Sequence, residues 1–136
     1  MNLDKRDEAM LEVNLPQGTK WVKFNVGQFG YYRVNYSPEE WKKLANILES
    51  NPSALPSTDR ASLLNDAFSL AKSGHISYDI PFSMTKYMSK EKNLVPWETV
   101  FDTLIEIKEL LRYTETYPMF QEYIQDLVRV HYRLHF

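Results

Sequence analysis

Ser57-Thr58-Asp59-Arg60-Ala61-Ser62-Leu63-Leu64-Asn65-Asp66-Ala67-Phe68-Ser69-Leu70-Ala71-Lys72 is the stretch whose reading decides the fold. Leu63, Leu64, Ala67, Phe68, Leu70 and Ala71 recur at helical spacing and make a broad apolar face. Ser57 suits the N-cap of such a helix, and Gly74 suits the position just past its end. Everything after residue 37 carries the same signature. Ser37-Pro38-Glu39-Glu40 is a capping box with Pro at the first helical position. It predicts a helix to about residue 49, with Trp41, Leu44, Ala45 and Leu48 on its stripe. A third helix starts at Ser77 and bears Ile80, Met84, Tyr87 and Met88. A fourth runs over 95–112 with Trp97, Val100, Phe101, Leu104, Ile107 and Leu111, and a fifth over 117–134 with Phe120, Tyr123, Ile124, Leu127, Val128 and His131. Short loops between them suggest antiparallel helix pairs of an α-solenoid-like, HEAT- or armadillo-like domain.

The residues before 37 read differently. Leu11, Val13 and Leu15 alternate with polar neighbours, and Pro16-Gln17-Gly18 marks a turn. Trp21-Val22-Lys23-Phe24-Asn25 and Tyr31-Tyr32-Arg33-Val34-Asn35-Tyr36 are rich in aromatic and β-branched residues and flank Gly27 and Gly30, the pattern of a hairpin. The expected fold class is therefore α+β, mostly α: about three antiparallel strands, then about five helices.

Composition narrows the function. The 136 residues are 43% hydrophobic and 25% charged, an ordinary globular balance. A net charge of −2 gives no basic footprint for nucleic acid. No apolar run approaches the roughly 20 residues that cross a bilayer, and the charged residues from Asp4 to Glu8 leave no signal peptide in view. With no cysteine, disulfides and thiolate metal sites are excluded. His131 and His135 have the i, i+4 spacing of the H-E-x-x-H zinc helix, but Tyr132 stands where its Glu would be. First-turn acids Glu39, Glu40 and Asp59 are explained by the helix dipole, and no seryl-nucleophile or phosphate-loop pattern occurs. Asp59-Arg60 and Asn65-Asp66 interrupt an apolar helix, which points to polar contacts with a neighbour. Asn35-Tyr36-Ser37 satisfies the N-glycosylation pattern, whereas Pro52 spoils Asn51-Pro52-Ser53.

Two of these stretches together resemble the gluzincin-type zinc aminopeptidases, of the glutamyl or alanyl branch. Trp21-Val22-Lys23-Phe24-Asn25 with Gly30-Tyr31-Tyr32-Arg33-Val34-Asn35-Tyr36 is one. Asp59 to Ala71 is the other, and Val95-Pro96-Trp97-Glu98 and Tyr117-Pro118-Met119 extend the match. The resemblance implies that residues 1–36 end a β-sandwich domain and that residues 37–136 open the helical C-terminal domain seen in endoplasmic-reticulum aminopeptidases. It also implies a zinc enzyme that removes amino-terminal residues from peptides. The family's H-E-x-x-H and G-x-M-E-N motifs are absent here, so no catalytic, metal or substrate-binding residue is assigned and zinc is expected only in the parent. This segment would be the hinge and cap region. Its partners would be the catalytic and remaining helical domains, with no nucleic acid and no direct membrane contact. The location implied is a plasma-membrane ectodomain, with the secretory lumen or cytosol as alternatives. Structural roles fall to Trp21, Tyr31, Tyr32 and Tyr36, packing the sheet, and to Asp59, Arg60 and Asp66, tying the first cap helices together. The rival reading is a stand-alone helical-repeat binding module without peptidase activity.

Overall fold

The structure, a computed structural model, describes residues 13–28 and 33–135. Five α-helices follow one another: α1 (Pro38–Ser50), α2 (Ser57–Lys72), α3 (Asp79–Met84), α4 (Leu94–Leu111) and α5 (Tyr117–His135). Short 3-10 turns at Val26–Gln28, Pro52–Ala54 and Thr85–Lys90 complete the described elements.

The helix ends follow local chemistry. Ser37 Oγ accepts the Glu40 N–H at 3.3 Å and Pro38 sits in the first turn, so α1 starts where its orphan donors find a partner. α2 ends in a Schellman arrangement. The His75 N–H reaches Leu70 O at 2.9 Å and the Gly74 N–H reaches Ala71 O at 3.1 Å, with Gly74 at φ +82°, where an L side chain would be strained.

α2 is the central helix. Its wide apolar face, with Leu63, Leu64, Ala67 and Phe68 almost fully buried, packs along α4 through Trp97, Val100, Leu104 and Ile107. α1 adds Trp41, Leu44 and Leu48 to the same core. Between α2 and α5 lies α3, whose Phe82 ring meets Phe68 edge-on at 5.8 Å and Tyr123 edge-on at 5.1 Å. Met84, Tyr87 and Met88 close the layer beneath α5.

The expected sheet is not there. Among the described residues no strand or sheet forms, so the α+β expectation gives way to an all-helical architecture with an extended lead-in strap. The reason is visible in the strap's backbone. The Phe24 N–H is taken by Tyr36 Oη at 2.9 Å, and the Gly27 N–H by Asp59 Oδ1 at 2.9 Å. Lys23 Nζ occupies the carbonyls of Phe24, at 2.9 Å, and Asn25, at 3.2 Å. Side chains thus fill the positions that a strand ladder needs. Asn25 and Gly27 both hold positive φ, 58° and 73°, which curls the chain rather than extending it. A two- or three-strand sheet alone is marginal in water, and here the aromatic residues gain more by packing on helices. The expected Pro16–Gly18 turn does form, with the Thr19 N–H on Pro16 O at 3.2 Å. Leu11, Gly30, Tyr31 and Tyr32 lie outside the described residues.

Candidate functional site

α2 presents polar side chains at its N-terminus and midway along, and these organise two buried clusters. In the first, Asp59 and Lys23 form an ion pair at 3.4 Å with side chains only 1% and 2% exposed. Asp59 sits in the first turn of α2, where the helix dipole favours a carboxylate, while its Oδ1 also holds the Gly27 N–H. Lys23 would be a costly buried cation without this counter-charge. Seven residues further along α2, Asp66 Oδ1 and Asn65 Oδ1 grip the same guanidinium nitrogen of Arg33, at 3.2 and 2.9 Å. Burial pushes the Asp66 carboxyl above its usual range, and the Arg33 charge offsets only part of that. The strap is completed by aromatic contacts. Tyr36 stacks on Phe24 at 6.1 Å and meets Trp41 edge-on at 4.9 Å, and the Trp41 indole N–H donates to Asn35 Oδ1 at 3.0 Å.

The second cluster is a lock in the interior. Arg60 Nε and an Nη donate to the two oxygens of Glu91 at 2.7 and 2.8 Å, the bidentate geometry natural to guanidinium and carboxylate. Tyr87 Oη donates to Glu91 at 2.7 Å and the Asn93 N–H at 3.1 Å, so each carboxylate oxygen receives two donors. The other Arg60 Nη reaches the carbonyls of Leu55, at 2.5 Å, and Pro52, at 3.2 Å. Trp97 Nε1 closes the assembly on the Glu91 carbonyl at 2.8 Å. Burial alone would raise the Glu91 pKa, but the bonds from Arg60 and Tyr87 outweigh it and hold the carboxyl below its ordinary value. The Glu91 bond raises Arg60 further against the opposing effect of burial. Burial, then the neighbouring carboxylate, keeps the Tyr87 phenol protonated far above the usual range.

The histidine pair does something else. His131 lies 4.9 Å from the Trp97 ring, 5.4 Å from Phe101 and 4.7 Å from His135, so the two imidazoles pack at the α4–α5 seam. Among the described residues no group of three or more His, Asp or Glu side chains gathers as a metal ion would require. Burial first, then the His135 charge, lowers the His131 pKa. The unfolded chain therefore binds that proton more readily, and stability falls as pH drops through about 6.5. The thermal midpoint is expected to fall more between pH 7.5 and 5.5 in the unaltered protein than in His131→Phe, read by circular dichroism. Equal shifts would remove His131 as the cause.

Of the residues given structural roles from sequence, Trp21 is half-buried against the core and Tyr36 is buried. Asp59 and Asp66 reach back to the strap, and Arg60 reaches forward to Glu91, just past the Thr85–Lys90 turn. Tyr31 and Tyr32 lie outside the described residues. The sequence reading missed Glu91, which sits between Lys90 and Lys92 in what looks like a solvated charge run, and it missed Lys23 and Arg33 as partners of α2. Each of these charged side chains has a partner within the fold.

The ERAP1-like C-terminal domain family matches residues 21–135, most of the chain. The chain belongs to this family. Human glutamyl aminopeptidase is 35% identical over 129 residues, 94% of this chain but 14% of that protein. The mouse thyrotropin-releasing hormone-degrading ectoenzyme is 38% identical over 112 residues, covering 82% of this chain and 10% of its own length. Human aminopeptidase N is 33% identical over 119 residues, 85% of this chain and 12% of that protein. The chain thus spans about a seventh or less of these relatives. The strap from Trp21, the lock and the α4–α5 seam all fall inside the region that matches the ERAP1-like C-terminal domain. Among the described residues no helix is long and apolar enough to cross a membrane.

Proposed function

We propose that this chain is the non-catalytic hinge and cap segment of a zinc aminopeptidase that removes amino-terminal residues from peptides. Residues 1–36 would end the preceding domain and residues 37–136 would open the helical one. The match to the ERAP1-like C-terminal domain over residues 21–135 supports the helical, non-catalytic part of this reading. The grip of α2 on buried Lys23 and half-exposed Arg33 supports it, because such a grip fixes the direction in which a neighbouring domain leaves the helices. Zinc and the peptide site would belong to the catalytic domain of the parent, whose cleft the helical domain would cover and close against water. One relative is named an ectoenzyme, which favours a parent exposed outside the cell.

An antibody raised to residues 37–135 tests the reading on source-cell extracts. The expected result is a polypeptide several times larger than 16.1 kDa, whose immunoprecipitate releases the chromophore from an aminoacyl anilide and loses that activity to a zinc chelator. A single species near 16.1 kDa would overturn the proposal in favour of a stand-alone binding module, and a large one without activity would overturn its peptidase part.

A further inference from the structure

One motif is left unused by both polar clusters. Asn35-Tyr36-Ser37 is the only Asn-x-Ser/Thr tripeptide without proline in the 136 residues. The structure places it in a non-helical run immediately before α1, with Asn35, Ser37, Pro38 and Glu39 all exposed. Tyr36, between them, points inward and is buried, so the backbone on either side is turned toward solvent. We infer that Asn35 is an N-glycosylation site, carrying one N-linked oligosaccharide on the solvent side of the strap. The inference rests on the ectoenzyme reading above, since the modification requires passage through the secretory lumen.

The side-chain chemistry is compatible with both partners at once. Asn35 engages the fold through its oxygen, which accepts the Trp41 indole N–H at 3.0 Å. Glycosylation uses the other end of the carboxamide. Asn35 Nδ2 attacks the anomeric carbon of a lipid-diphosphate-linked oligosaccharide. The C–N bond forms as the C–O bond to the diphosphate breaks, the lipid diphosphate leaves with the electron pair, and Nδ2 gives up one proton. The product is still an amide, so Oδ1 remains an acceptor and the Trp41 bond survives. Ser37 is likewise used twice without conflict. Its hydroxyl is recognised while the chain is extended, and after folding it caps α1. A glycan here would keep the outer side of the strap and the first turn of α1 out of any domain interface.

The protein purified from its source is treated with peptide N-glycosidase in heavy-oxygen water, and the peptide containing Asn35 is sequenced by mass spectrometry. Conversion of Asn35 to oxygen-18-labelled aspartate is the expected result. Recovery of that peptide only as unmodified Asn35 would overturn the inference. The same preparation is assayed for aminopeptidase activity, which separates the two readings. Active protein with unmodified Asn35 defeats the glycan alone, and glycosylated protein without activity defeats the peptidase reading alone. If both tests are negative, both readings fall. In the secreted parent expressed in cultured cells, Asn35→Gln is expected to reduce the glycosidase-sensitive mobility shift by one oligosaccharide. Ser37→Thr, which keeps both the acceptor pattern and the cap, is expected to retain the full shift. A full shift in Asn35→Gln would overturn the inference.

Discussion

Glu91→Ala is expected to bring the protein close to unfolding, with a loss of about 3–5 kcal/mol in urea denaturation. Whole domains are commonly stable by only about 5–15 kcal/mol. The size follows from what is left behind. The Arg60 side chain is 12% exposed, and the Glu91 side chain it faces is not exposed at all. Removing Glu91 strands the guanidinium, a Tyr87 hydroxyl and the Asn93 amide in one place, each with a desolvation cost that water had met in the unfolded chain. The interaction itself is worth less than that loss. Arg60→Met combined with Glu91→Leu should therefore recover part of the stability lost in the single variant, because no charge is left stranded, while the Tyr87 hydroxyl and the Asn93 amide still lack their acceptor. Acid behaviour gives an independent reading. The folded carboxyl titrates below its unfolded value of about 4.3, so its contribution is present above that pH and is lost as pH falls through the lower, folded value. Glu91→Gln removes that part of the acid sensitivity while keeping the shape. A cost below about 1 kcal/mol for Glu91→Ala would mean that the lock is open in solution.

The helices were legible because their signals are local. Ser37 and Gly74 mark ends that depend on residues at most four positions away, and the stripes of α1, α4 and α5 repeat at helical spacing. The strap was misread for the opposite reason. Trp21 to Tyr36 has the residue types that favour pleated, half-buried surfaces, but β propensity reports fit to neighbours rather than to the backbone. The neighbours that decide are α1 and α2, which supply Trp41 and Asp59. The charged partners were hidden by distance along the chain. Arg60 and Glu91 are 31 residues apart, and Arg33 and Asp66 are 33 apart. Nothing in the flanking Lys90 and Lys92 distinguishes a buried glutamate from a solvated one. Asp59-Arg60 and Asn65-Asp66 gave the one usable signal, being polar residues set into an apolar helix. They announced partners without naming them.

Asp59→Asn is expected to release the strap while the helices stay packed. The substituted amide can still accept the Gly27 N–H, so the change isolates charge from shape: Lys23 keeps its two carbonyl contacts and loses its counter-ion. Breaking a buried pair in this way typically costs about 3–5 kcal/mol. Lys23 has an escape that Arg60 lacks, since the strap can peel from α2 and return the ammonium to water. The free energy of that peeling caps the loss, which appears as local opening and only weakly as a lower global midpoint. Hydrogen exchange should show the amides of Phe24 and Gly27 losing protection by at least tenfold, with those of α2 and α4 unchanged. Arg33→Met provides the comparison. Its partner Asp66 is held near its ion pair at a half-exposed guanidinium, where such a pair is worth about 1 kcal/mol or less, so the same amides should respond far less. Uniform loss of protection through α4 in Asp59→Asn would show that the strap and the helices open as one unit. Unchanged protection at Phe24 and Gly27 would show that the ion pair does not hold the strap at all.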